Sequence, residues 1–93
     1  MRTDVFHYSI YVSGRVQGVG FRHEARKMAR YMGIRGIVRN LADGRVYIEA
    51  EGDKDALDLF LSWCRKGSSF GSVDRVVSEE GEVKDYQGFN VVL

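Results

Sequence analysis

Residues 14–22 read GRVQGVGFR, with three glycines and two arginines in nine positions. A run of this kind suits anion binding. A glycine-rich turn lets successive backbone N–H groups converge on an anion. The helix-like stretch that follows begins near Phe21, and the free N–H groups at a helix start also favour negative charge. Arg22 falls in the first helical turn, where its planar guanidinium can grip two phosphate oxygens at once. The spacing G-x-x-x-G-x-G matches neither the dinucleotide fingerprint nor the P-loop, which needs Lys-Ser/Thr after its glycines. A purely structural tight turn fits the same residues equally well.

Other residues that could do chemistry carry less. Asn40 ends the segment VRN (38–40) and by itself reads as a turn residue. His23 follows Arg22, but a helix turns ~100° per residue, so it is expected to point away from Arg22 and stay exposed. Arg15 fits either a charge at the loop mouth or a solvated side chain. The backbone of Gln17 is expected to matter more than its side chain. Cys64 falls in an apolar helical stripe and reads as a small core residue. No His, Cys or carboxylate cluster has metal-ligand spacing, so no metal is expected. Residues 1–45 hold nine Lys/Arg against three Asp/Glu, whereas residues 46–93 hold five against ten. The basic first half suits an anionic ligand, and solvated faces explain the same imbalance.

The elements that must position these residues follow from periodicity. Residues 7–13 alternate, with Tyr8, Ile10 and Val12 on one face and His7, Ser9, Tyr11 and Ser13 on the other, which predicts a half-buried strand. Residues 21–32 place Phe21, Ala25, Met28, Ala29 and Met32 at helical spacing, and Gly33 supplies a stop. Strands are predicted over 35–40 and 45–51, joined by a turn at 41–44 that ends in Asp-Gly. A second helix spans 53–66 with Asp53 as its cap. A loop over 67–72, a strand over 73–79 and a short strand over 88–93 complete the chain. The order β-α-β-β-α-β plus a terminal strand predicts an α+β, ferredoxin-like split βαβ sandwich. Its sheet would be antiparallel, with both helices on one face. The 93 residues, 44% of them hydrophobic, suit a single domain over 1–93. The sequence shows no signal peptide and no membrane span, so a cytoplasmic location is expected.

The stretches VSGRVQGVGFR and GIRGIVRNLADGRV, in this order and spacing, resemble the acylphosphatase family. The similarity extends through EAEGD, the second helix and GSSFGSV. It implies hydrolysis of the carboxyl-phosphate bond of acyl phosphates without metal or cofactor. It implies that Arg22 binds the phosphate and that Asn40 positions the attacking water. The backbone N–H groups of Arg15, Val16, Gln17, Gly18, Val19 and Gly20 would complete the cradle. Two positions depart from the family pattern: Ile37 stands where Trp is common, and Ser68 follows Gly67 where Pro is common. Both read as scaffold positions. The chemistry suits the residues, because a carboxylate leaving group, with a pKa of ~4, needs little help from an acid. Phosphoryl transfer then depends mainly on positioning and charge stabilisation. Inorganic phosphate is expected as product and competitive inhibitor, the acyl side is expected to be tolerated broadly, and the chain is expected to act as a monomer.

A binding module on the same fold is the alternative. Tyr11 and Tyr47 would lie on the open sheet face, where RNA-recognition domains stack bases. Glu49 and Glu51 share that face and would repel a phosphate backbone, so no nucleic-acid partner is expected. A domain kept only for protein interaction would have no need of Arg22 and Asn40.

Overall fold

The computed structural model describes residues 4–93. Its elements are β1 (Phe6–Arg15), α1 (Phe21–Tyr31), β2 (Arg35–Asn40), β3 (Val46–Gly52), α2 (Lys54–Lys66), β4 (Ser72–Gly81) and β5 (Phe89–Val91). The start of the expected 1–93 domain, residues 1–3, lies outside the described residues. The sheet order is β4-β1-β3-β2-β5. The first four strands pair antiparallel, as the ferredoxin-like reading expects.

Alternation decides which face is covered. Tyr8, Ile10 and Val12 of β1 and Val46, Ile48 and Ala50 of β3 are all buried. They meet Phe21, Ala25 and Ala29 from α1 and Leu57, Phe60, Leu61 and Cys64 from α2. Burying one such Phe or Leu contributes about 1.5–3 kcal/mol. Asp53 caps α2 by accepting from the Ala56 amide at 2.8 Å, which satisfies one of the amides a helix start leaves free. Burial also pushes the Cys64 thiol up to about 12, so it is a packing group at neutral pH.

The expected wholly antiparallel sheet is corrected in one place. β5 pairs parallel with β2, matching Gly36 to Phe89 and Val38 to Val91. The sheet is therefore mixed. β4 and β5 occupy opposite edges, so residues 82–88 must carry the chain across the sheet, and it then reaches β5 running alongside β2. This crossing segment covers part of the face that the sequence leaves open. Glu51 is fully buried and accepts from the Lys84 and Tyr86 amides and from His7 Nδ1 at 2.7 Å. Glu49 accepts from the Tyr86 hydroxyl at 2.9 Å and pairs with Lys84 Nζ at 2.8 Å. Glu49 and Glu51 are thus buried and paired, and His7 is buried with them. Tyr11 and Tyr47 remain half-exposed, their ring centroids 4.9 Å apart.

Candidate active site

The loop between β1 and α1 is anchored from below. Val16 and Val19 are buried, so their side chains tie the loop to the core. Gly18 and Gly20 take φ values of 74° and 80°, a left-handed conformation that costs other residues energy. A Cβ at either position would meet nothing within 4 Å, so glycine serves the backbone path here and leaves the surface above it clear. Alternating left-handed residues turn successive amides the same way. The loop runs directly into α1, whose cap is Gly20, with no side chain capping the helix start among the described residues. The first bond of α1 is from the Glu24 amide to the Gly20 carbonyl. The amides of Phe21, Arg22 and His23 therefore have no acceptor within the helix. Amides and helix end together favour an anion at this point.

Two side chains hold the loop from either flank. Gln17 Nε2 donates to the carbonyls of Leu41 and Arg45 at 2.8 and 2.9 Å. These carbonyls belong to the hairpin immediately after Asn40, so Gln17 ties the glycine loop to the end of β2. Beside the expected part of its backbone, the Gln17 amide side chain reaches a neighbour that no local pattern shows. On the other flank, the buried Ser68 hydroxyl donates to the Val19 carbonyl at 3.0 Å. The Ser68 departure from the family pattern therefore touches the loop itself.

Val16, Gly18, Gly20, Phe21, Arg22, His23, Arg26 and Val91 line one cavity of 220 Å³. Of the expected site residues, Val16, Gly18, Gly20 and Arg22 share this lining, while Arg15, Gln17 and Val19 do not. His23 is exposed as expected, but it shares the cavity with Arg22. Asn40 lies outside the lining. It ends β2 two residues beyond Val38, which pairs with the cavity residue Val91, and shares the helix-side face of the strand with Val38. Its Oδ1 is buried and has no hydrogen-bond partner among the described residues. A buried acceptor without a donor is costly unless something supplies one. Arg26 and Val91 escape sequence reasoning. Val91 is one apolar residue in an apolar terminal strand. Arg26 had a legible signal, since it stands one helical turn after Arg22.

Among the described residues no group of three or more His, Cys, Asp or Glu is placed to hold a metal ion. Nor is any helix of those residues long and apolar enough to cross a membrane.

Comparison with known proteins bears on this arrangement. The family model described as Acylphosphatase matches residues 8–91. An acylphosphatase of Archaeoglobus fulgidus is 50% identical over 82 residues, covering 88% of this chain and 92% of the relative. One of Roseiflexus sp. is 42% identical over 90 residues, covering 96% and 97%. The crystal structure of acylphosphatase from Bacillus subtilis superposes with a TM-score of 0.92 at 38% identity, covering 95% of this chain and 99% of that one.

Proposed function

The chain belongs to the acylphosphatase family, a premise from which we propose a division of labour among Arg22, Asn40 and the backbone of residues 15–20. The reaction is hydrolysis of the carboxyl-phosphate bond of acyl phosphates, giving a carboxylate and inorganic phosphate. In our reading the loop amides and the Arg22 fork hold the phosphoryl oxygens and stabilise the charge that builds on them. Asn40 accepts a hydrogen bond from water through Oδ1 and holds it in line with the leaving carboxylate. The water oxygen bonds to phosphorus, the bond from phosphorus to the acyl oxygen breaks, and the carboxylate leaves with that electron pair. Asn40 cannot take the proton at neutral pH, so the proton passes to a phosphoryl oxygen.

The observation that carries this reading is the buried Asn40 Oδ1, without a hydrogen-bond partner among the described residues, beside a hairpin tied to the loop through Gln17. The reading needs no metal, cofactor or nucleic acid, and takes the chain to act as a monomer in the cytoplasm. Purified protein should hydrolyse benzoyl phosphate at its full rate in chelating buffer. Recovery of a lost rate on adding Mg²⁺ or Zn²⁺ would overturn it. Inorganic phosphate should compete with substrate in a steady-state titration, and purely noncompetitive inhibition would exclude a shared anion site. Simple alkyl phosphates should be nearly inert, since an alkoxide leaving group needs an acid that this set of residues lacks.

A further inference from the structure

Arg26 has no part in the mechanism above, yet it lines the same cavity as Arg22. It stands one turn further along α1, displaced by a rise of about 6 Å. Its side chain is half-buried, and among the described residues it makes no ion pair. Its side-chain neighbour is His23, whose Nδ1 lies 3.5 Å from Arg26 Nη2. Among the described residues no carboxylate lines the cavity. The Arg26 guanidinium meets no anion among the described residues, and beside Arg22 it adds like charge to one cavity. A ligand carrying two anionic groups would relieve both. The phosphoryl group would take the loop and Arg22, and the second anion would take Arg26.

We propose that Arg26 is a specificity-determining residue that favours acyl phosphates whose acyl part bears a carboxylate, that is, mixed anhydrides of phosphate with a dicarboxylic acid. A planar guanidinium pairs with a carboxylate through two parallel hydrogen bonds, which neither a neutral amide nor an alkyl end can match. The proposal rests on the reading of loop and Arg22 as the phosphoryl site, and it narrows the broad acyl tolerance that the sequence suggests.

The test compares 3- and 4-carboxybenzoyl phosphate with their carbamoyl counterparts, which keep the shape and lose the charge. The quantity read is the ratio of kcat/KM for the charged over the neutral member of each pair. Arg26→Gln should lower that ratio about tenfold for at least one isomer, chiefly through KM, the scale of one hydrogen-bonded charge pair. Turnover of the carbamoyl compounds should stay within about twofold, as expected for a group that touches only the acyl end. Arg26→Lys should keep part of the preference. Arg75→Gln, which removes a charge from the opposite sheet face, should leave the ratio unchanged. An unmoved ratio in folded Arg26→Gln, with carbamoyl turnover intact and phosphate still competing, overturns this proposal alone. An equal fall in Arg75→Gln overturns it too, since net charge would then be the cause. Failure of the unaltered protein on the carbamoyl compounds overturns the phosphoryl-site reading and the proposal together.

Discussion

In the proposed division of labour, single residues differ in what each contributes to the ground state and the transition state. A group that grips phosphate oxygens acts in both, whereas one that orients water acts chiefly in the second. Asn40→Ala should therefore lower kcat by about 10²-fold, the scale of losing one positioned polar group. The inhibition constant for phosphate should stay within a few-fold. Arg22→Lys should weaken phosphate inhibition and slow turnover together, because an ammonium replaces the two-pronged fork with a point charge. Steady-state kinetics with benzoyl phosphate, phosphate titration and thermal unfolding of both variants separate the two roles. If folded Asn40→Ala turns over normally, another group positions the water.

Elements meet at this site through hydrogen bonds that span long stretches of chain. Gln17 joins the β1–α1 loop to the β2–β3 hairpin, and Ser68 joins the same loop to the segment after α2. Gln17→Ala removes two bonds and should cost about 1–2 kcal/mol of stability. It should also lower kcat by about tenfold, because the loop and Asn40 then lose their common register, and small misplacements are costly in catalysis. Ser68→Ala removes one bond to the Val19 carbonyl. It should cost about 1 kcal/mol and weaken phosphate inhibition while touching no substrate atom. Denaturant melts paired with phosphate titrations check both variants. Unchanged phosphate affinity in Ser68→Ala would reduce Ser68 to a packing role.

At the scale of the whole molecule, the segment 82–88 joins opposite edges of the sheet and rests on Glu49 and Glu51. Burial alone would raise both carboxyls. For Glu51 the Lys84 amide, His7 and the Tyr86 amide outweigh burial, and for Glu49 Lys84 and the Tyr47 and Tyr86 hydroxyls do so. Both groups therefore sit below the ordinary Glu value of 4.5. A lowered carboxyl stabilises the fold above its unfolded value, and that contribution is lost as pH falls through the folded value. Thermal stability should thus fall below about pH 4.5. The alkaline side mirrors this: burial and donation to Glu49 push the Tyr86 hydroxyl up to about 12, so its contribution is lost as pH rises between 10.0 and that value. Glu51→Gln cannot accept from three donors at once. It should cost about 1–3 kcal/mol at neutral pH and flatten the acid arm of a melting-temperature profile. An acid arm as steep as in the unaltered protein would show that other carboxylates set it. We propose that the chain unfolds as one domain, which coincident fluorescence and circular-dichroism transitions would support.

Much of this protein was legible in its sequence because local patterns report local causes. Alternation in 7–13 and helical spacing in 21–32 follow from the geometry of strand and helix, so the elements and their buried faces could be read directly. The Asp53 cap and the glycine loop are likewise short-range chemistry, and the motifs around Arg22 and Asn40 carry the family resemblance. Periodicity says that a face is buried, not what buries it. It could not show that 82–88 covers Glu49 and Glu51, because that depends on which sheet edge the last strand reaches. Nor could it show that β5 runs parallel to β2, that Gln17 reaches a hairpin 24 residues away, or that Ser68 holds Val19. It also could not bring Val91 to the cavity that Arg22 lines. Each of these is a meeting between distant segments, and only the folded topology brings the partners within hydrogen-bonding or packing distance.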